Sequence, residues 1–171
     1  MRVIVLKVKG KQNLAELREV IEMGRTFGGG WQMLKDAEFG DMVVWYAGAP
    51  DQDYWAYGWV GGKPSKPGGS KIKFYGPVVG VRAFERRMSR QKVAEACGFN
   101  ETSVNQLAEA VPEAIADSFL RAVGFDRKFV AAREQISAEL AWALESAVRA
   151  APPEPPWVPG RHIVESERSS R

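Results

Sequence analysis

The sequence predicts an α+β protein, with a small β-barrel of short strands in its first half and a set of helices from its second half packed against that barrel. Three observations carry this. Apolar residues alternate with a period of two up to about Arg86 and recur at helical spacing after it. Glycine and proline cut the first half into short runs, the punctuation expected of a small open or closed barrel. The chain has 171 residues, 45% of them hydrophobic and 26% charged, enough to bury a core without a disulfide or a metal staple. We therefore expect one domain over residues 1–150, with the barrel at about 1–85 and the helical part at about 88–150. A Pro-rich C-terminal tail occupies 151–171.

The elements follow in order. Arg2–Val8 is apolar and β-branched and reads as the first strand. Leu14–Met23 places Leu14, Leu17, Val20 and Ile21 on one helical side, with Asn13 as the expected cap and Gly24 as the stop. A glycine-rich loop runs from Gly24 to Trp31. Asp41–Ala47, Tyr54–Gly61 and Gly76–Phe84 are strand-like, with a weaker strand near Lys71–Tyr75. Ser89 caps a helix that ends at Gly98, Asn100 or Thr102 opens a short one, and Pro112 starts another that ends at Gly124. The last helix, about Asp126–Ala150, is expected to bury Phe129, Ile136, Leu140, Ala143, Leu144 and Ala147. Pro152-Pro-Glu-Pro-Pro156 and Pro159 end it, and the tail offers Trp157 to the domain or to a protein partner.

Composition narrows the chemistry. The single cysteine, Cys97, has no partner for an internal disulfide, and the single histidine, His162, lies in the tail. No set of His and Cys residues can surround zinc, and no Ser-His or Cys-His pair is apparent, so histidine-based hydrolysis is disfavoured and no cofactor is expected. No run of about 18 apolar residues occurs, which points away from a membrane and to the cytoplasm.

Net charge is only +3, but it is unevenly placed. From Gly61 to Lys92 nine basic residues face one acid, Glu85, whereas acids predominate from Val93 to Glu145. A basic run within an aromatic β region is the footprint of a nucleic-acid partner. Tyr54-Trp-Ala-Tyr-Gly-Trp-Val60 adds flat rings: strict alternation puts Trp55, Tyr57 and Trp59 on one face, as core packing or as a base-stacking row. Gly24-Arg-Thr-Phe-Gly-Gly-Gly-Trp31 supplies a guanidinium and two rings on one loop, and the absence of a following Gly-Lys-Ser/Thr rules out a P-loop.

These residues resemble a family. Gly40-Asp-Met-Val-Val-Trp-Tyr46-Ala-Gly48 is similar to the Gly-Asp-x-x-x-Phe-Tyr strand of EVE domains, which belong to the PUA-like superfamily with the YTH and ASCH domains. Ala56-Tyr-Gly-Trp-Val60 resembles the family's Gly-Ile-Ala/Gly-x-Val strand, and Arg25-Thr-Phe27 falls where the family places an Arg-Asn-Tyr loop. The resemblance spans about residues 1–85. Ala47-Gly48 and Thr26 depart from it, standing where the family carries polar residues and Asn. It implies a PUA-like β-pseudobarrel flanked by helices, with an aromatic pocket for a modified base, flipped from a duplex or carried on a single strand of DNA or RNA.

The resulting expectation is a non-catalytic nucleic-acid binding module. Phe27, Trp45 and Trp55 are the first candidates for stacking, joined by Trp31, Tyr46, Tyr57 and Trp59, with Arg25 and Thr26 as polar contacts. If Trp45 faces the core, Tyr46 takes its place. Lys63, Lys66, Lys71, Lys73 and Arg82 are expected to meet phosphates. Three alternatives stand beside it, one of them a protein-interaction subunit that works through the Pro-rich tail. An ASCH-like ribonuclease would use groups such as Lys63, Lys66 and Tyr75. A helix-turn-helix over residues 93–107 would read bases through Thr102, Ser103, Asn105 and Gln106, against the repulsion of Glu95, Glu101, Glu109 and Glu113.

Overall fold

Met42–Ala47 holds no charged or amide side chain, and a strand of that composition needs cover on both faces. It forms β3, and every residue in it is buried. In the computed structural model, which describes residues 1–26, 30–66, 73–100 and 107–150 apart from the side chains at 145 and 147–150, β3 is the middle of a five-stranded sheet. Val3–Val8 (β1) runs parallel to it on one side, and Asp53–Val60 (β4) antiparallel on the other. Val78–Ser89 (β6) extends the sheet beyond β4, and Ala108–Ala110 (β7) pairs with the free side of β1. A second sheet joins Trp31–Met33 (β2) to Phe74–Gly76 (β5).

The α+β class is as the sequence predicts, with four helices among the described residues: Lys11–Met23 (α1), Arg90–Cys97 (α2), Glu113–Val123 (α3) and Arg127–Ala150 (α4). The sheet separates two cores. Val43, Trp45 and Ala47 point into one, with α1 residues Leu17 and Val20 and with Met33 of β2. Met42, Val44 and Tyr46 point into the other, closed by Val93 of α2 and by Ala116, Phe119 and Leu120 of α3. Among the described residues, no helix is long and apolar enough to cross a membrane.

Local expectations hold at several ends and fail at others. Ser89 Oγ accepts from the Lys92 amide and α2 stops at Gly98, as its cap chemistry requires. The α1 helix starts earlier than expected, with Gly10 at its N-cap, and Asn13 instead donates its side-chain amide to the Lys9 carbonyl at 2.8 Å. Part of the expected helical half is strand, because β7 satisfies the open edge of β1. The buried stripe of α4 runs through Val130, Arg133 and Ser137, while Ala143 is exposed and Ile136, Leu140 and Leu144 are half-buried; Ala147 lies outside the described side chains. Residues 101–106, and with them the second helix of the helix-turn-helix reading, are outside the described residues, as is the tail with Trp157.

Two polar anchors set the layers. Asp41, 5% exposed, accepts from the Arg2 amide at 2.9 Å, the Glu38 amide at 3.0 Å and the Arg2 guanidinium at 3.1 Å, while its own carbonyl accepts from Val60 at 2.8 Å. One residue thus fixes the start of β1, the start of β3 and the end of β4. Arg2 also hydrogen-bonds Asp36, which holds that carboxyl below its ordinary pKa. This contribution is present above the ordinary carboxylate range and is lost as pH falls through the lowered value. The second anchor is Arg133, which reaches the Met1 carbonyl, Glu113 and Asp117 and clasps α4 to α3 and β1. Next to it, Ser137 donates to the carbonyl of Gly40. Gly40 has φ +80°, and a side chain there would meet Ser137.

Asp41→Ala leaves two backbone amides and a guanidinium without their acceptor. We expect a loss of about 3 kcal/mol in urea unfolding, with Asp41→Asn losing less because one acceptor oxygen remains.

Candidate functional site

Strict alternation does not survive in β4. The register shifts between Tyr54 and Ala56 and again between Tyr57 and Trp59, so the expected row of three aromatics is divided. Trp55 joins the α1 core with Ala56, while Tyr57 packs toward the helices of the second half. Trp45 and Tyr46, on opposite faces of β3, are both core: they are 0% and 2% exposed. Neither offers a face to solvent, which corrects the expectation that one of the pair lines an open pocket. The cause is that both sides of the sheet are covered. Trp55, at 2% exposure, is corrected likewise.

Tyr57 and Trp59 line a groove of about 640 Å³ with Phe84, Phe125 and Phe129. Its rings pack on one another. Tyr57 lies 4.9 Å from Phe125 and 5.2 Å from Phe84, and Phe125 stacks on Phe129 at 4.5 Å. This cluster fastens the start of α4 to β4 and β6, each ring pair adding about 0.5–1.5 kcal/mol beyond burial. Arg82 is exposed in the same groove, away from the lysine loop, and the charges there balance: Arg82 and Arg86 against Glu85 and Asp126.

A different cleft gathers the remaining candidates. Between α1, the end of β1 and the small β2–β5 sheet lies a concavity of about 320 Å³, lined by Trp31, Gln32, Tyr75, Asn13, Lys7 and Lys73. Trp31 is half-buried and held edge-to-face against Trp45, with ring centroids 6.0 Å apart. Trp45 therefore backs the cleft wall and does not line it. Gly30, at φ +91°, sits against the backbone of Gly76 so closely that any side chain would drive the two strands apart. The glycine is what lets Trp31 enter β2 beside β5.

The lysine loop is tied to the same place. Ser65 and Tyr75 exchange both backbone hydrogen bonds at 2.8 Å, which brings the exposed Lys63 and Lys66 beside β5. Lys66 Nζ stands 5.0 Å over the ring of Phe74. One acid, Glu16, also lines the cleft. Sequence reasoning missed Gln32, Asn13 and Lys7, whose positions depend on how α1 and β1 lie against the second sheet.

Of the loop candidates, Thr26 is structural. Its hydroxyl accepts from the Val78 amide at 3.0 Å and its amide donates to the Val78 carbonyl at 2.9 Å, stitching the chain after α1 to the edge of β6. Arg25 is exposed opposite Val79 on that edge, three residues beyond the end of β5 at Gly76, and it is not among the residues that line the cleft. Phe27 and Lys71 lie outside the described residues. Buried indole N–H groups of Trp45, Trp55 and Trp59 have no acceptor among the described residues. Each such group costs about 1–3 kcal/mol where it stays dry. Among the described residues, no three His, Cys, Asp or Glu side chains come together to hold a metal ion.

Gly30→Ala should separate β2 from β5 and release Trp31. Expected are a stability loss of about 2 kcal/mol and a red shift of tryptophan emission that is absent when Trp31→Phe is added to the same variant.

No protein-family profile matches the sequence, and no curated protein matches it. Its fold does have solved counterparts. It is similar to the crystal structure of protein Atu2648 from Agrobacterium tumefaciens, with a TM-score of 0.54 at 11% identity, over 74% of this chain and 96% of that one. A more distant likeness, with a TM-score of 0.44 at 10% identity over 79% of this chain and 85% of that one, is to the YTH domain-containing protein mmi1 in complex with RNA.

Proposed function

We propose that the protein is a nucleic-acid binding module that receives an unstacked base in the Trp31–Tyr75 cleft. The observation that carries this reading is the composition of that cleft. An unpaired base needs flat surfaces, hydrogen-bonding groups at its edge and cations near its phosphates. Trp31 and Tyr75 supply the rings, Gln32 and Asn13 the amides, and Lys73 the cation; Lys7 borders the cleft but turns its Nζ over the Tyr46 ring on the other face of the sheet. Lys63 and Lys66 flank β5 through the Ser65–Tyr75 pairing, where a backbone leaving the cleft would pass.

The amide side chains give the cleft its selectivity. Each presents a donor and an acceptor, so a base edge is read by pattern and not by charge. The resemblance to EVE domains extends the reading to a base carrying a modification, held without cleavage of the strand. In this scheme the buried aromatics act indirectly: Trp45 fixes Trp31 from behind, and the Tyr57 cluster holds the helical layer.

The test is a fluorescence titration with short single-stranded DNA and RNA and with duplexes, each carrying unmodified or modified bases. We expect binding that weakens with salt by about 0.7 log units per tenfold salt for each phosphate contacted on a single strand. Trp31→Ala should cost about 1–3 kcal/mol in affinity and leave that slope unchanged, because stacking and phosphate contacts are separate. Lys63→Ala with Lys66→Ala and Lys73→Ala should weaken all sequences alike and flatten the slope. Equal affinity of wild type and Trp31→Ala for every strand would overturn the assignment of the cleft. Shortened strands on a gel after incubation would favour the ribonuclease alternative over binding alone.

A further inference from the structure

Beyond the cleft, Trp55 is the centre of a second arrangement. It stands opposite an irregular stretch of β6: one residue separates Tyr54 from Ala56, whereas the paired residues Met88 and Ala83 are separated by Phe84, Glu85, Arg86 and Arg87. The surplus bulges outward and lays Arg87 over the indole, with its guanidinium carbon 3.9 Å from the ring centroid. Arg18, from α1, covers the same ring at 5.5 Å.

This arrangement is rich in donors and poor in acceptors. Arg18 and Arg87 are exposed, and among the described residues neither has a carboxylate within salt-bridge distance. Glu85 on the bulge and Glu19 and Glu22 on α1 are exposed and make no ion pair with either. The Trp55 ring beneath them is 2% exposed, and its own N–H has no acceptor among the described residues. Stacking on an indole leaves all five donors of a guanidinium available at its edge while fixing its plane. The two cations repel each other, and with a Debye length of about 8–10 Å that repulsion is only partly screened. A multivalent oxyanion would answer both deficits.

We propose that Arg18, Arg87 and Trp55 form a phosphate-binding site that takes a phosphodiester of the nucleic-acid strand. The assignment of the ligand as nucleic acid rests on the function proposed above. Arg18 lies on the opposite flank of α1 from Asn13 and Glu16, which line the cleft. A helix is about 10–12 Å across with its side chains, so the two sites suit successive parts of an oligonucleotide and not one nucleotide. The clamp thus gives the strand a direction over α1, with the base on one flank and a phosphate held on the other.

Two measurements on the full chain decide this. In the first, inorganic phosphate is titrated while the arginine side-chain N–H resonances are followed by NMR. The signals of Arg18 and Arg87 should shift together, and shifts no larger than those of Arg121, on α3, would overturn the site. In the second, a labelled single-stranded oligonucleotide is titrated against wild type, Arg18→Gln, Arg87→Gln and the double variant. Each single change should weaken binding about tenfold and flatten the salt slope by about 0.7 for each phosphate that is no longer neutralised. Arg87→Lys should restore the slope but only part of the affinity, because the planar fork is gone. A nucleoside, which carries no phosphate, should be insensitive to either change.

The failures are distinct. If Trp31→Ala weakens binding while the arginine variants, folded by circular dichroism, keep wild-type affinity and slope, the clamp is wrong and the cleft stands. If phosphate shifts both arginines but no oligonucleotide binds the wild type, the phosphodiester assignment and the nucleic-acid reading fall together, and free phosphate is the ligand.

Discussion

A central strand with no solvent face constrains everything else in this protein. Met42–Ala47 is buried along its whole length, so the sheet around it must be covered by separate layers on its two sides. On one side α1 and the β2–β5 sheet supply that cover; on the other, α2, α3 and the start of α4. Asp41 sits at the head of this strand and commits its carboxylate to β1 and to the turn before β3, so the strand that needs most protection is also pinned where it begins. Removing either layer would expose large rings, which explains why so many of the aromatic residues are core.

The same constraint distributes the chemistry. Rings that look available in the sequence are engaged in holding the layers together, and what is left for ligands is at the seams between them. The Trp31–Tyr75 cleft lies where the small sheet meets α1, with Trp45 behind it. The arginine pair lies at the other seam, where α1 meets the edge strand β6. Glycine at position 30 and a bulge at residues 84–87 are the backbone irregularities that open these two places, and each interrupts regular pairing to do so. The basic segment from Gly61 to Lys92 is accordingly divided: Lys63, Lys66 and Lys73 go with the cleft, Arg87 with Trp55, and Arg82 with the aromatic groove.

Much of the fold was legible in the residues. Capping chemistry at Ser89, the stops at Gly98 and Gly124, and the apolar runs of β1, β3 and β4 are local properties, decided within a few residues of chain. The candidate site was legible only in outline. Trp31, Lys63, Lys66 and Lys73 were visible as a flat ring near a lysine loop, but Gln32 and Asn13 carry no pattern that marks them. They become a site only because a parallel β1–β3 pair places α1 across one face of the sheet and the second sheet closes beside it.

The sequence by itself determined the class of the fold, the order of nearly all its elements and the asymmetric charge, because these follow from periodicity, caps and composition. Tertiary structure alone decided which aromatic side chains are surface and which are core. Alternation along β4 predicts one face for Trp55, Tyr57 and Trp59, yet the register shifts send Trp55 to the opposite core. A bulge is set by what the neighbouring strand and the helices above it can accommodate, and those neighbours come from residues far away in the chain. The sequence of one strand holds no record of that contest, and so the position of Trp55 beneath Arg18 and Arg87 could be learned only from the folded molecule.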